Sequence, residues 1–114
     1  MFAAMTNSRS PAAALIGGAL LALSALTPAL ANEDLARQKA CLACHQVSKA
    51  VIGPAFADIA KKYKGDKKAV DKLATKVRKG GGGVWNMPMG PMPAQGQVSE
   101  AEARQLVNWI LTTK

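Results

Sequence analysis

The sequence holds a single histidine, His45, and only two cysteines, Cys41 and Cys44, which lie close together in the chain. A disulfide between them would close a very small loop and add little stability, so a disulfide scaffold is excluded. A structural zinc site needs four protein ligands, and these three residues are too few. No paired carboxylates and no nucleophile–base pair stand out elsewhere, so no enzyme class is indicated.

Period-two alternation is also missing, and β-branched residues are few, so strands are not expected. Apolar residues instead recur with helical spacing over 56–63 and 70–77, and the S-x-x-E sequence at Ser99–Glu102 is a capping box that opens a last helix. Asn32 is the predicted N-cap of a first helix that continues into the cysteines. Asp66 is the predicted cap of the third helix. The sequence therefore predicts an all-α fold of about four short helices.

The beginning of the chain has the pattern of a secretory signal peptide. Arg9 lies in a short polar start, residues 12–26 are almost entirely apolar, and Ala29-Leu30-Ala31 is an A-x-A cleavage signature. The apolar run, about fifteen residues, is shorter than the roughly 20 that a membrane-spanning helix needs. We therefore expect residues 1–31 to be removed and residues 32–114 to form one exported domain that is not inserted in a membrane.

Acidic residues are scarce, with 7 Asp and Glu against 15 Lys and Arg, which gives a net charge of +8. A basic exported domain favours an acidic protein partner or a membrane surface. Nucleic acid is not expected as a partner, because the protein is exported and no nucleic-acid-binding motif is present.

The segment Cys41-Leu42-Ala43-Cys44-His45 is C-x-x-C-H, the attachment signature of a c-type haem. On a helix the two cysteines lie one turn apart on one face, so both sulfurs reach the vinyl groups of one porphyrin. His45 follows on that face, where its imidazole can ligate the iron. A thioredoxin-like dithiol is the rival interpretation, but that motif lies in an α/β fold.

A long loop from Gly80 to Val98 contains Met87, Met89 and Met92, each beside a proline. Loops of this length are usually functional. Methionine can simply fill space in such a loop. However, no second histidine is present for the sixth coordination position of a haem iron, and a thioether is the natural soft ligand there.

The chain resembles the short bacterial class I cytochromes c of the c-551/c-552 type. The resemblance runs through CLACH, Gly53-Pro54, FADIAKKY, KGGGGVW, the Pro-Met-Pro step and VSEAEARQLVNWIL. It implies one covalent haem c with its iron, surrounded by four short helices, and a monomeric protein that transfers single electrons outside the cytoplasm.

The resemblance also implies roles for individual residues. The carbonyl of Pro54 would accept a hydrogen bond from Nδ1 of His45, and the indole of Trp85 would contact a haem propionate. Lys76 and Arg78 match basic residues near the propionates, although both also suit a solvated helix face.

The relatives depart from this chain at the sixth ligand. Their spacing after G-V-W would put the methionine at position 90, where this chain has Gly90, so its loop is longer. Counted back from Val98, Met92 falls at a spacing that the family tolerates, and prolines restrain φ on both of its sides. We expect Met92 to be the ligand, with Met89 as the rival and Met87 as a poorer third.

The expected function is electron transfer between respiratory partners, without enzymatic activity. In relatives a side-chain amide just after the ligand can bond its sulfur, a role open to Gln95. The resemblance implies a quinol-oxidising complex as donor and a nitrite reductase or terminal oxidase as acceptor. Docking would use acidic partner surfaces and exposed lysines, among them Lys39, Lys49, Lys61 and Lys62. The alternative is a ligand-binding or peroxidase-like haem domain with an open sixth position.

Overall fold

The computed structural model describes residues 12–13, 17–19 and 28–114. Most of the predicted signal peptide therefore lies outside the described residues. The described part contains four α-helices and one short 3₁₀ helix. Their bounds are α1 Pro28–Gln38, the 3₁₀ helix Cys41–Ala43, α2 Phe56–Lys62, α3 Ala69–Lys79 and α4 Glu100–Ile110.

The C-terminal helix α4 is the centre of the fold, because α1, α2 and α3 all pack against it. Its apolar stripe supplies much of the buried core, which includes Leu106, Val107 and Trp109. The helix begins as the sequence predicts: the amide of Glu102 donates to Ser99 Oγ at 3.1 Å, and the Ser99 amide donates to Glu102 Oε1 at 3.0 Å. The capping box thus satisfies two amides that a helix start leaves unpaired.

The N-terminal helix differs from the prediction at both ends. In the full chain α1 begins at Pro28 rather than after Asn32, because proline is favoured at the first position of a helix and alanines follow it. It ends at Gln38, before the cysteines, because Ala40 takes the left-handed conformation with φ of 61°. The prediction of a helix that runs through the cysteines is therefore wrong in detail.

The third helix also starts later than Asp66. Its N-cap residue is Lys68, whose side chain makes no capping hydrogen bond. Asp66, two residues earlier, accepts the Lys68 backbone amide on Oδ1 at 2.8 Å. Asp66 Oδ2 also accepts Lys72 Nζ at 2.9 Å, so this carboxylate still ties down the first turn of α3.

The all-α prediction is confirmed for the described residues, which contain no strand. Two isolated β-bridges occur outside the helices, one between His45 and Ala50 and one between Gly81 and Met92. No helix in this part of the chain is long and apolar enough to cross a membrane. Each bridge includes one residue that the sequence predicts to be an iron ligand, His45 in the first and Met92 in the second.

Candidate haem site

The two cysteines lie on the 3₁₀ turn that follows Ala40. The amides of Cys44 and His45 both donate to the Cys41 carbonyl, at 3.2 and 3.0 Å. Side chains three residues apart eclipse in a 3₁₀ helix, so the two sulfurs still project to the same side of the turn. Both are partly buried free thiols. Burial raises the pKa of the Cys41 thiol, and the charge interaction with the neighbouring Cys44 raises it further.

Among the described residues His45 is a buried polar residue, with 8% of its surface exposed. Its Nδ1 lies 2.7 Å from the carbonyl oxygen of Pro54. A carbonyl only accepts, so Nδ1 must carry the proton, and the neutral ring then keeps the lone pair of Nε2 for a metal. This is the hydrogen bond that the resemblance to cytochromes c implies at Gly53-Pro54.

Two neighbours fix the plane of the His45 ring. Phe56 stacks on it with ring centroids 5.1 Å apart and an interplanar angle of 16°. The backbone of Gly53 also lies against the ring. Only glycine fits there, because a Cβ at that position would lie 2.5 Å from Cε1 and 2.8 Å from Nδ1 of His45. The sequence predicts Phe56 only as part of a helix and Gly53 only as part of the Gly53-Pro54 step, since neither contact with His45 has a local signal.

The connection after His45 is fastened to the start of α2. The amides of Phe56 and Ala57 donate to the carbonyls of Gln46 and Val47, at 2.9 and 2.8 Å. The segment that follows His45 is therefore joined to the start of α2 by two backbone hydrogen bonds.

The chemistry of this donor set fits a covalent c-type haem. Two thiols lie on one side of a turn, and the adjacent imidazole has its Nδ1 engaged and its Nε2 available. Cys41 and Cys44 would hold the porphyrin through thioether bonds, and His45 would ligate its iron.

The three candidate methionines occupy different environments. Met89 is 72% exposed, at the tip of a turn in which the Gly90 amide donates to the Met87 carbonyl at 3.1 Å. Met87 and Met92 are both partly buried. Only Met92 belongs to a β-bridge, in which its carbonyl accepts the amide of Gly81 at 2.8 Å.

The other residues of the loop lie as follows. Trp85 is partly buried against the core, and the ammonium of Lys62 lies 5.7 Å from its ring centroid, a cation–π contact between α2 and the loop. Lys76 is partly buried and donates to the Gly82 carbonyl, whereas Arg78 is exposed. The side-chain amide of Gln95 donates from Nε2 to the Pro93 carbonyl at 3.0 Å.

The predicted ring of lysines needs one correction. Lys39 forms an ion pair with Glu102 at 3.1 Å and also donates to the Gln97 carbonyl, so it ties α1 to α4 and is not free for docking. Lys49, Lys61 and Lys62 are exposed, as predicted. Sequence reasoning missed a group of exposed apolar side chains directly after His45, namely Val47, Val51 and Ile52.

Comparisons with known proteins agree with this geometry. The family model for cytochrome c matches residues 30–114. The chain is 53% identical over 96 residues to cytochrome c-552 of Hydrogenobacter thermophilus, which covers 84% of this chain and 93% of that protein. It is 43% identical over 93 residues to cytochrome c-551 of Allochromatium vinosum, covering 82% and 97%. The solved structure of Nitrosomonas europaea cytochrome c552 is similar with a TM-score of 0.67 and 48% identity, covering 72% of this chain and 99% of that one.

Proposed function

The chain belongs to the cytochrome c family of electron-transfer haem proteins, as a short monohaem class I member with one covalently attached haem c, and we propose that it is a periplasmic single-electron carrier with His45 and Met92 as axial ligands. When bound, the haem supplies an iron that gains and loses one electron. Cys41 and Cys44 hold it, and the Pro54 carbonyl orients His45.

One observation carries this proposal: of the three candidate methionines, the structure fastens only Met92 through a backbone bridge to the end of a helix. The exposed Met89 would have to leave the solvent to reach an iron. A sixth position filled by a methionine leaves no open site for a substrate, which favours electron transfer over ligand binding or catalysis. His/Met ligation also raises the haem potential.

Electron exchange requires a surface where a partner can dock briefly. The exposed Val47, Val51 and Ile52 follow His45 closely in the sequence, and the exposed Lys49 lies between Val47 and Val51. An apolar patch beside positive charge suits fast and weak association with an acidic partner. We propose that a quinol-oxidising complex and a nitrite reductase or terminal oxidase dock on this surface, and that the protein acts as a monomer after cleavage behind Ala31.

The near-infrared spectrum of the oxidised holoprotein tests the ligand assignment. Methionine sulfur on ferric haem gives a charge-transfer band, called here the Met–iron band. Met92→Leu, which conserves side-chain volume, should abolish it. Met89→Leu is the matched control and should leave it intact. Loss of the band only in Met89→Leu would move the ligand to Met89, and no band in the unmutated protein would favour the ligand-binding haem domain instead.

The docking surface is tested by the rate at which the anion hexacyanoferrate(III) oxidises the reduced protein. We expect the rate to fall as salt rises, since the Debye length shrinks from about 10 Å at 0.1 M to about 3 Å at 1 M. Lys49→Glu should reduce both the rate and its salt dependence. Lys67→Glu, the same charge change on the exposed α2–α3 connection, should do so less. Equal effects of the two variants would contradict docking beside His45.

A further inference from the structure

We propose that the first two of the four glycines after α3, Gly80 and Gly81, form a positioning segment, the glycine segment, that holds the Met92 backbone in place for the iron. The inference rests on the proposed function, in which Met92 is the sixth ligand. By sequence these two glycines only begin a long loop, whereas in the structure both of them contact the loop segment Met92–Ala94 directly.

The closest contact is at Gly80, which has a φ of +66°. A Cβ built there would lie 2.5 Å from the Met92 carbonyl oxygen, 2.6 Å from the Ala94 nitrogen and 2.7 Å from the Pro93 carbonyl carbon. All three are backbone atoms, which cannot turn aside as the end of a long side chain can. Any residue other than glycine at this position must therefore displace the ligand segment.

Hydrogen bonds fasten the ligand segment on both sides of that contact. The Gly81 amide donates to the Met92 carbonyl at 2.8 Å, and the Gln95 amide donates to the Val77 carbonyl at 3.1 Å. The ammonium of Lys76 donates to the Gly82 carbonyl and so restrains the residue that follows the glycine segment. Each of these partners belongs to α3 or follows it immediately, so the position of Met92 is set by the end of a helix that packs on α4.

This arrangement has a consequence for the strength of ligation. A thioether competes for the iron with other ligands, and a methionine on a mobile loop would lose conformational entropy each time it bound. A backbone that is already ordered avoids most of that loss, as in any preorganised binding group. The glycine segment should therefore keep added ligands off the iron.

The test uses Gly80→Ala in the ferric holoprotein with two matched controls. Gly65→Ala also puts an alanine at a positive φ, +81°, but nothing lies within 4 Å of its new Cβ. Gly82→Ala lies directly after the glycine segment, and its Cβ would meet only Pro91 Cβ, at 4.0 Å. The readouts are the Met–iron band, the affinity for added imidazole and the melting temperature.

We expect Gly80→Ala to weaken or abolish the Met–iron band and to tighten imidazole binding by at least about tenfold, or 1.4 kcal/mol. Gly65→Ala should lower the melting temperature but leave the band and the imidazole affinity unchanged, and Gly82→Ala should change neither by much. Should Gly80→Ala fail to fold, Lys76→Met removes the bond to Gly82 without a clash and should tighten imidazole binding by a smaller factor.

The outcomes separate the two proposals. If Met92→Leu keeps the band, Met92 is not the ligand and the proposed function needs a different ligand. If Met92→Leu loses the band but Gly80→Ala and Lys76→Met both bind imidazole as the parent does, the ligand assignment stands and the positioning role of the glycine segment is overturned.

Discussion

Truncation of Phe56 should lower the free energy of unfolding substantially, because this side chain packs between His45 and the core. It is 2% exposed, stacks on His45 at 5.1 Å and meets Trp109 edge-on with centroids 5.4 Å apart. Replacing a buried Phe by Ala typically costs about 3–5 kcal/mol, to which an aromatic pair contributes about 0.5–1.5. A domain of about 80 residues has a total stability of about 4–12 kcal/mol. Phe56→Ala should therefore remove a quarter or more of it.

At about 4–8 °C per kcal/mol for a domain of this size, Phe56→Ala should lower the melting temperature by at least about 12 °C. The measurement is thermal and guanidinium unfolding of the holoprotein, followed by far-ultraviolet circular dichroism. Phe56→Leu keeps an apolar side chain at the site and should lose less. Val47→Ala, at an exposed position, should change the free energy of unfolding by less than about 0.5 kcal/mol. A loss below about 1 kcal/mol for Phe56→Ala would refute the reasoning.

Two further predictions concern the start of α4. Ser99→Ala removes the side-chain cap and should lower the free energy of unfolding by about 1 kcal/mol, measured by denaturant unfolding. Thr75→Ala removes an exposed hydroxyl within α3 and should not show this loss. Equal losses in the two variants would contradict the capping role. The Ser99 amide, and then Lys39, lower the pKa of Glu102 below its usual value of about 4.3, so the charged carboxylate stabilises the fold above that pH, and this contribution is lost as the pH falls through the lowered pKa. Glu102→Gln should therefore be less stable than the parent near neutral pH, and the two should converge as the pH falls through the lowered pKa; a difference that does not change with pH would count against it.

The helices followed from the sequence wherever local chemistry decided them. The capping box located the start of α4, and the loop predicted from Gly80 begins there, directly after the last residue of α3. The break before Cys41 was not predictable, because it depends on a positive φ at Ala40, which alanine rarely adopts. The contact of Gly80 with Met92 was also out of reach, since it joins two segments distant in sequence and has no local signal.

The same contrast explains how an aperiodic loop can carry a metal ligand. The loop is held at its start, where Trp85 packs on the core beneath Lys62, and at its end, where the Gln95 amide meets α3 and Val98 is buried. Met89 lies between these two anchors and is mostly exposed. Positional freedom in a tethered segment is least next to its fixed ends, and the proline on each side of Met92 reduces it further by restricting φ. Met87, near Trp85, and Met92, near Gln95, both lie beside an anchor, but only Met92 has a proline on each side, which favours it as the ligand on grounds independent of resemblance to any other sequence.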